Sequence, residues 1–228
     1  DFKKFKYFAG HSLGEYSALA CVGSISFEDT LKILQKRGKF MQEAVPNGQG
    51  AMLVVLGMAS KELDKILEMN NKKYECFIAN DNSNLQVVVS GLKKDINLLS
   101  DDLNNKKIKN LKLNVSAPFH CKYMKTASEK MTSYIYDLNM KELEKPIISN
   151  VTANETRSCK EIKSLLISQI ERKVRWLESV EYMINNGVKN FVEIGPGKVL
   201  SGLIKRINKN VNVNSINSEE DIKLLIND

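Results

Sequence analysis

The chain has 228 residues, 43% hydrophobic and 27% charged, enough apolar material for buried cores and unlike a disordered polyelectrolyte. No apolar run approaches the roughly 20 residues needed to span a bilayer, and the charged opening "DFKKFKYFAG" does not read as a signal peptide, so membrane partners are not expected. The net charge of +7 is spread over scattered lysines rather than gathered into a stripe with stacking aromatics, so an acidic protein partner fits better than nucleic acid.

In chain order, residues 6–9 read as the end of a short buried strand. "SLGEYSALACVG" reads as a helix with Leu13, Tyr16 and Ala20 on one face and Gly23 as its stop. Ser26 is expected to cap a second helix, with Asp29 in the capping-box position and an apolar face of Phe27, Leu31, Leu34 and Met41. From Ala51 the order is strand "MLVVL", helix "SKELDKILEM", strand "YECFIA", strand "LQVVVSG", helix "KKDINLLSDDLN" and strand "IKNLKLNV". That β-α-β-β-α-β order predicts a ferredoxin-like subdomain inserted into a larger α/β body. After Ala117-Pro118 come a helix at "KYMKTASEKMTSYIYDL", a strand at "PIISNV", and helices near 161–171 and 176–186. Strand "NFVEI", turn "GPGK", helix "VLSGLIKRI", strand "VNVNSI" and helix "EEDIKLLIN" close the chain. Alternating strands and helices predict a mostly parallel sheet covered on both faces. The expected division is 1–47 and 117–228 for the large body and 48–116 for the small one.

Cys21, Cys76, Cys121 and Cys159 lie far apart with no CxxC pair, which argues against a disulfide framework or zinc site and for a reducing compartment. "GPGK" lacks the spacing of a phosphate-binding loop and reads as a strand-to-helix turn.

The chemistry begins at Gly10-His11-Ser12-Leu13-Gly14, a G-x-S-x-G between a strand and a helix. A serine in such a turn needs small residues two positions away on both sides. At a helix N-terminus it also meets free N–H groups and the positive end of the dipole. A serine nucleophile needs a base, and the chain has only two histidines. His11 adjoins the serine and reads as support for the turn. His120, on the loop leaving the inserted segment, is the candidate base. Arg37 falls on the apolar face of the second helix, where a buried guanidinium requires an anion. Either a buried carboxylate or a substrate carboxylate held in a bidentate grip would serve.

The stretches "GHSLGEYSALACVGSISFEDTLKILQKRGKFMQEAVPNGQGAM", "NVSAPFHCKYM", "VRWLESVEYM" and "VEIGPGKVLSGLIKRI" closely resemble the malonyl-CoA:acyl carrier protein transacylase family, in order and over essentially the whole chain. The resemblance implies an α/β-hydrolase-like core carrying the ferredoxin-like subdomain. It places the nucleophile on Ser12, the base on His120 and the carboxylate grip on Arg37, with Met41 beside it. It puts the carbonyl that orients the histidine on Gln169, alongside His11, and one oxyanion donor on the Leu13 N–H. Asn80, Asn82 and Gln86 would line the site. Phe119 matches the pattern for malonyl rather than methylmalonyl units, because a bulky ring leaves little room at the α-carbon. The implied partners are acyl carrier protein and a coenzyme A thioester, with no metal or other cofactor and a monomeric state. The implied compartment is the cytoplasm in a bacterium, or the plastid stroma in an AT-rich plastid-bearing eukaryote.

In this family a second oxyanion donor lies in an upstream Gly-Gln-Gly motif, and the opening strand and helices of the large domain are expected to precede residue 1. Gly48-Gln49-Gly50 has the same letters at a different place and is not that motif. Asn84 and Lys173 stand where prolines are common, in loops away from the chemistry. Rival readings on the same motifs are a serine hydrolase or thioesterase, a polyketide-synthase acyltransferase domain, and a non-catalytic module that binds carrier protein.

Overall fold

The computed structural model describes residues 4–227. The chain divides into two compact units, residues 1–179 and 180–228.

The first unit opens with β1 (Phe8–Ala9), followed at once by α1 (Leu13–Cys21) and α2 (Phe27–Glu43). Gly23, at φ 76°, supplies the left-handed residue that ends the first helical segment. Ser26 caps α2: its Oγ accepts from the Asp29 N–H at 3.0 Å, while its hydroxyl donates to the Asp29 carboxylate at 2.8 Å. The expected apolar face of α2 needs correcting. Phe27 is 74% and Leu31 53% exposed, and the buried line is Thr30, Ile33, Arg37 and Met41, with Leu34 packed at its edge. Residues 30, 33, 37 and 41 follow the i, i+3, i+4 spacing of a single helix face, and the Phe27–Leu31 stripe lies rotated away from it.

Next come β2 (Gly50–Leu56), α3 (Ser60–Met69), β3 (Cys76–Ser83), β4 (Gln86–Leu92), α4 (Lys93–Asn105) and β5 (Asn110–Lys112). Their strands form one antiparallel sheet in the order β3-β4-β2-β5. Alternation along β2 and β4 sorts the side chains. Leu53, Val55, Val87 and Val89 face a core with Leu63, Ile96 and Leu99 from the two helices. Met52, Val54 and Val88 turn to the other face, where Phe119 packs on them.

The chain then enters a short 3-10 turn at Lys122–Met124, α5 (Lys125–Tyr136), β6 (Ile147–Ile148), β7 (Glu155–Thr156), α6 (Cys159–Glu171) and α7 (Trp176–Asn185). β6 runs parallel to β1 and antiparallel to β7. A separate core joins α1, α2, α5 and α6 over this sheet, with Tyr16, Leu19, Met131, Ile135 and Leu166 fully buried. The sheet expected to be mostly parallel therefore has, among the described residues of this unit, one parallel and one antiparallel pair. β7 escapes sequence reading because two residues carry no alternation. The second unit holds β8 (Asn190–Ile194), α8 (Val199–Ile207), β9 (Asn212–Ile216) and α9 (Glu219–Asn227), with β8 and β9 parallel. The "GPGK" turn between β8 and α8 is a strand-to-helix turn whose helix end is occupied by the chain itself. The Glu193 carboxylate accepts from the Leu200 and Ser201 N–H groups at 3.0 and 2.7 Å.

All four cysteines are free thiols. No helix among the described residues is long and apolar enough to cross a membrane.

The two glycines around Ser12 differ. A Cβ on Gly10 would lie 1.9 Å from the Gly14 carbonyl oxygen, whereas a Cβ on Gly14 meets nothing within 4 Å, so only the first is required by close approach. Gly10→Ala is expected to cost about 3 kcal/mol or more in denaturant unfolding, and Gly14→Ala to leave stability unchanged or raise it by up to about 1 kcal/mol. Equal effects would contradict this packing.

Candidate active site

Ser12 stands between β1 and α1 as the N-cap of that helix, at φ 54° and ψ −106°. A non-glycine residue held there stores about 1–3 kcal/mol of backbone strain. Leu13 begins α1, so its N–H has no acceptor within the helix, while its side chain is exposed.

His120, itself at φ 59°, comes from the loop before α5. Its Nδ1 lies 2.8 Å from the Gln169 carbonyl oxygen and its Nε2 lies 2.8 Å from Ser12 Oγ. A carbonyl can only accept, so Nδ1 carries the proton, Nε2 has a free lone pair, and the Ser12 hydroxyl donates to it. Burial, and next the neighbouring Arg37 charge, lower the His120 pKa to about 3, so the imidazole is neutral at ordinary pH.

Arg37 is buried in α2 and donates from Nη2 to Ser12 Oγ and to Gln169 Oε1, both at 3.0 Å. Both acceptors are neutral, and Arg37 Nε has no hydrogen-bond partner among the described residues. Burial depresses its pKa, and its guanidinium carbon lies 5.5 Å from the Tyr16 ring centre.

A cavity of about 340 Å³ opens in front of the serine. Its polar wall is His11, Ser12, Asn80, Asn82, Gln86 and His120; its apolar wall is Met52, Val54, Val88, Leu113 and Phe119. β3 reaches this wall through two register shifts, and a parallel bridge from Asn80 to Val174 fixes its end. The Asn80 Oδ1 is buried with no partner among the described residues.

Three sequence candidates fall elsewhere than expected. His11 makes its hydrogen bond to Asn82 Oδ1 at 2.8 Å and lies tilted against Trp176 with ring centres 5.7 Å apart, so the orienting of His120 falls to Gln169. Met41 is buried in the hydrophobic core, away from the cavity wall. Arg37 lies behind Ser12 and reaches the cavity through the serine oxygen. Gly50, at the end of "GQG", serves packing: a Cβ there would meet Pro118 at 2.2 Å, beside the segment that leads to His120.

Sequence reading missed Glu15 and Asn150. Asn150 accepts from the Ser12 N–H at 2.7 Å, and Glu15 accepts from Gln169 Nε2 at 2.7 Å. The available signal was a carboxylate in the first turn of a helix, a place where solvated acids are common, and one asparagine after an apolar pair. Among the described residues no group of three or more His, Cys, Asp or Glu side chains is arranged to hold a metal ion.

A strained serine at a helix N-terminus, facing a neutral histidine tethered to a carbonyl, has the geometry that a serine nucleophile requires, and it stands in a mixed α/β fold. The sequence model described as "Acyl transferase domain" matches residues 6–219, and the chain belongs to that family. It is 43% identical over 223 residues to the malonyl CoA-acyl carrier protein transacylase of Bacillus subtilis (strain 168), covering 96% of this chain and 69% of that protein. The corresponding Staphylococcus aureus (strain MRSA252) protein is 42% identical over 220 residues, covering 94% of this chain and 70% of that protein. The acyl-carrier-protein-S-malonyltransferase of Bartonella henselae superposes with a TM-score of 0.95 at 38% identity, over 99% of this chain and 72% of the other. A malonyl-transacylase solved in complex with its type II PKS acyl-carrier protein superposes at 0.92 and 36% identity, over 98% of this chain and 73% of the other.

Burial raises the Glu15 pKa from 4.5 to about 7. A carboxyl with a raised native pKa stabilises the fold in its protonated form, and that contribution is lost as pH climbs through the native value. Relative to Glu15→Gln, the wild type should therefore lose thermal stability between about pH 4.5 and about pH 7 and change little above it. A pH-independent difference in melting temperature would contradict this assignment.

Proposed function

We propose that this chain carries malonyl groups from malonyl-CoA to the phosphopantetheine thiol of an acyl carrier protein through a malonyl ester on Ser12. The observation that carries the reading is the convergence on one hydroxyl: His120 Nε2 at 2.8 Å and Arg37 Nη2 at 3.0 Å.

Each half-reaction follows from that geometry. The Ser12 hydroxyl passes its proton to His120 Nε2 as Oγ attacks the thioester carbon. The carbonyl oxygen then takes the electron pair in front of the Leu13 N–H and the α1 dipole. Collapse expels the coenzyme A thiolate, which takes the proton from His120. In the second half the carrier thiol gives its proton to His120 and attacks the ester, and Ser12 is regenerated. An imidazole with a pKa of about 3 is a weak base. A substrate carboxylate against Arg37 offsets the cation that helps to depress that value, so the acidic substrate raises the basicity of the group that must activate the nucleophile.

Selectivity has two sources. An acyl group esterified at Ser12 starts beside Arg37 Nη2, where a malonyl carboxylate meets a guanidinium whose hydrogen-bonded side chains, Ser12 and Gln169, are both neutral. An acetyl group brings no carboxylate to that buried cation. Phe119 crowds the α-carbon from the cavity wall, and the unpartnered Asn80 Oδ1 suits an amide N–H of the pantetheine arm.

The reading takes residues 1–47 and 117–228 as an α/β-hydrolase-like core and 48–116 as a ferredoxin-like subdomain, supported by the sheet order β3-β4-β2-β5. It needs no metal or cofactor beyond the two thioester substrates, and it treats the protein as a monomer. The excess of lysines suits an acidic carrier protein, with a contact that weakens as salt rises. The compartment is the one that houses carrier-protein chemistry: bacterial cytoplasm, or plastid stroma in a plastid-bearing cell.

Intact-mass measurement after malonyl-CoA exposure should show one added malonyl group on wild type and none on Ser12→Ala; an adduct on both would overturn the assignment. Arg37→Ala should raise the ratio of acetyl to malonyl loading by about tenfold or more. An unchanged ratio would remove Arg37 from selectivity, and loss of the malonyl ester to water rather than to carrier thiol would mark a hydrolase instead.

A further inference from the structure

We propose that Asn150 and Glu15 are positioning residues for the acylation of Ser12: Asn150 holds the strained serine turn, and the Glu15 carboxylate anchors both Asn150 and Gln169. The proposal rests on the reading of Ser12 as nucleophile.

Both backbone polar groups of Ser12 are held by side chains from distant parts of the chain. Its N–H donates to Asn150 Oδ1 at 2.7 Å, and its carbonyl accepts from Gln169 Nε2 at 3.0 Å, across 138 and 157 residues of sequence. The same Asn150 amide donates from Nδ2 to the Gly10 carbonyl at 2.8 Å. One planar group thus spans the turn from residue 10 to residue 12, with its acceptor on one side and its donor on the other. A carboxylate of the same shape has no donor for Gly10, and an apolar isostere answers neither group. Because the Ser12 N–H is committed to Asn150, the Leu13 N–H is the one left to face a developing oxyanion.

Glu15 holds the second layer. Its Oε2 accepts from Gln169 Nε2 at 2.7 Å and from the Asn150 N–H at 3.2 Å. Gln169 in turn presents Oε1 to Arg37 and its carbonyl oxygen to His120. The serine, the base and the arginine are therefore all referred to one buried carboxylate. Glu15, Asn150 and Gln169 are each at most 2% exposed, so this polar network is shielded from water and its geometry matters more than at a surface.

The charge state of Glu15 follows from its surroundings. Arg37 from α2 favours the anion, as do the Gln169 amide from α6 and the Asn150 N–H from the segment after β6; Tyr16 is its aromatic neighbour on α1. Burial outweighs them and moves the carboxyl to about 7. The ionised form is acceptor-only and matches two donors. Protonation removes the cost of burying the charge and so stabilises the fold as a whole, but it places an O–H among the Gln169 and Asn150 donors and releases those two groups from their positions around Ser12, so acylation should slow as pH falls through neutrality.

The test is the single-turnover rate of Ser12 acylation by malonyl-CoA, read by intact mass across mildly acidic to mildly alkaline pH. A fluorophosphonate probe that labels serine nucleophiles is run in parallel. Wild type should lose rate with a midpoint near pH 7, in both assays, while its circular dichroism is unchanged. Glu15→Gln should lack that limb, since its amide does not titrate. Asn150→Asp should acylate roughly 100-fold more slowly with a nearly unchanged half-saturating malonyl-CoA concentration. A flat wild-type profile, the same limb in Glu15→Gln, or wild-type acylation by Asn150→Asp would each overturn the proposal. If Asn150→Asp does not fold, the wild-type and Glu15→Gln profiles decide. Fluorophosphonate labelling with no malonyl adduct on wild type would sink the malonyl reading alone and leave the positioning proposal to be judged by the probe.

Discussion

One oxygen organises this molecule. The Ser12 hydroxyl donates a hydrogen bond to a histidine and accepts one from an arginine, and these opposite demands fix three otherwise unrelated parts of the chain. The guanidinium favours the negative charge that deprotonation of such a hydroxyl would create. The cost appears in the backbone, where Ser12 and His120 both adopt positive φ without being glycine.

Packing supplies the rigidity that such strain requires. α1, α2, α5 and α6 share one core, so the helices bearing Arg37 and Gln169 cannot shift independently of the turn that carries Ser12. The small sheet does different work. One face closes its own core against two helices, and the other, with Met52, Val54 and Val88, becomes the apolar wall of the cavity. Residues alternating along the same strands thus serve stability on one side and substrate shape on the other.

The order and type of most elements were legible because their periodicities are strong. "SKELDKILEM" and "KKDINLLSDDLN" are amphipathic with clear ends, and the valine runs of β2 and β4 are each followed closely by a glycine. The G-x-S-x-G turn was legible because strain and close approach restrict residue types, although only Gly10 meets that demand sterically. The inward placing of Arg37 and Met41 on α2 is legible, but Phe27 and Leu31 face solvent and Thr30 and Ile33 complete the buried line. Long-range partnerships lie beyond local reasoning. Nothing in "PIISNV" reveals that its asparagine holds a serine 138 residues away, and a glutamate in the first turn of a helix ordinarily signals a solvated cap. Of the residues the resemblance implied, Met41 is core, while His11 lines the cavity beside Asn82 without touching His120.

The central claim is that an acidic acyl group on Ser12 pairs its carboxylate with Arg37 without disturbing the histidine. A crystal structure of the malonylated protein tests it directly. The account predicts the acyl carboxylate paired with the Arg37 guanidinium while His120 Nδ1 still donates to the Gln169 carbonyl. An acyl chain turned to solvent, with Arg37 still bound to Gln169 alone, would contradict it.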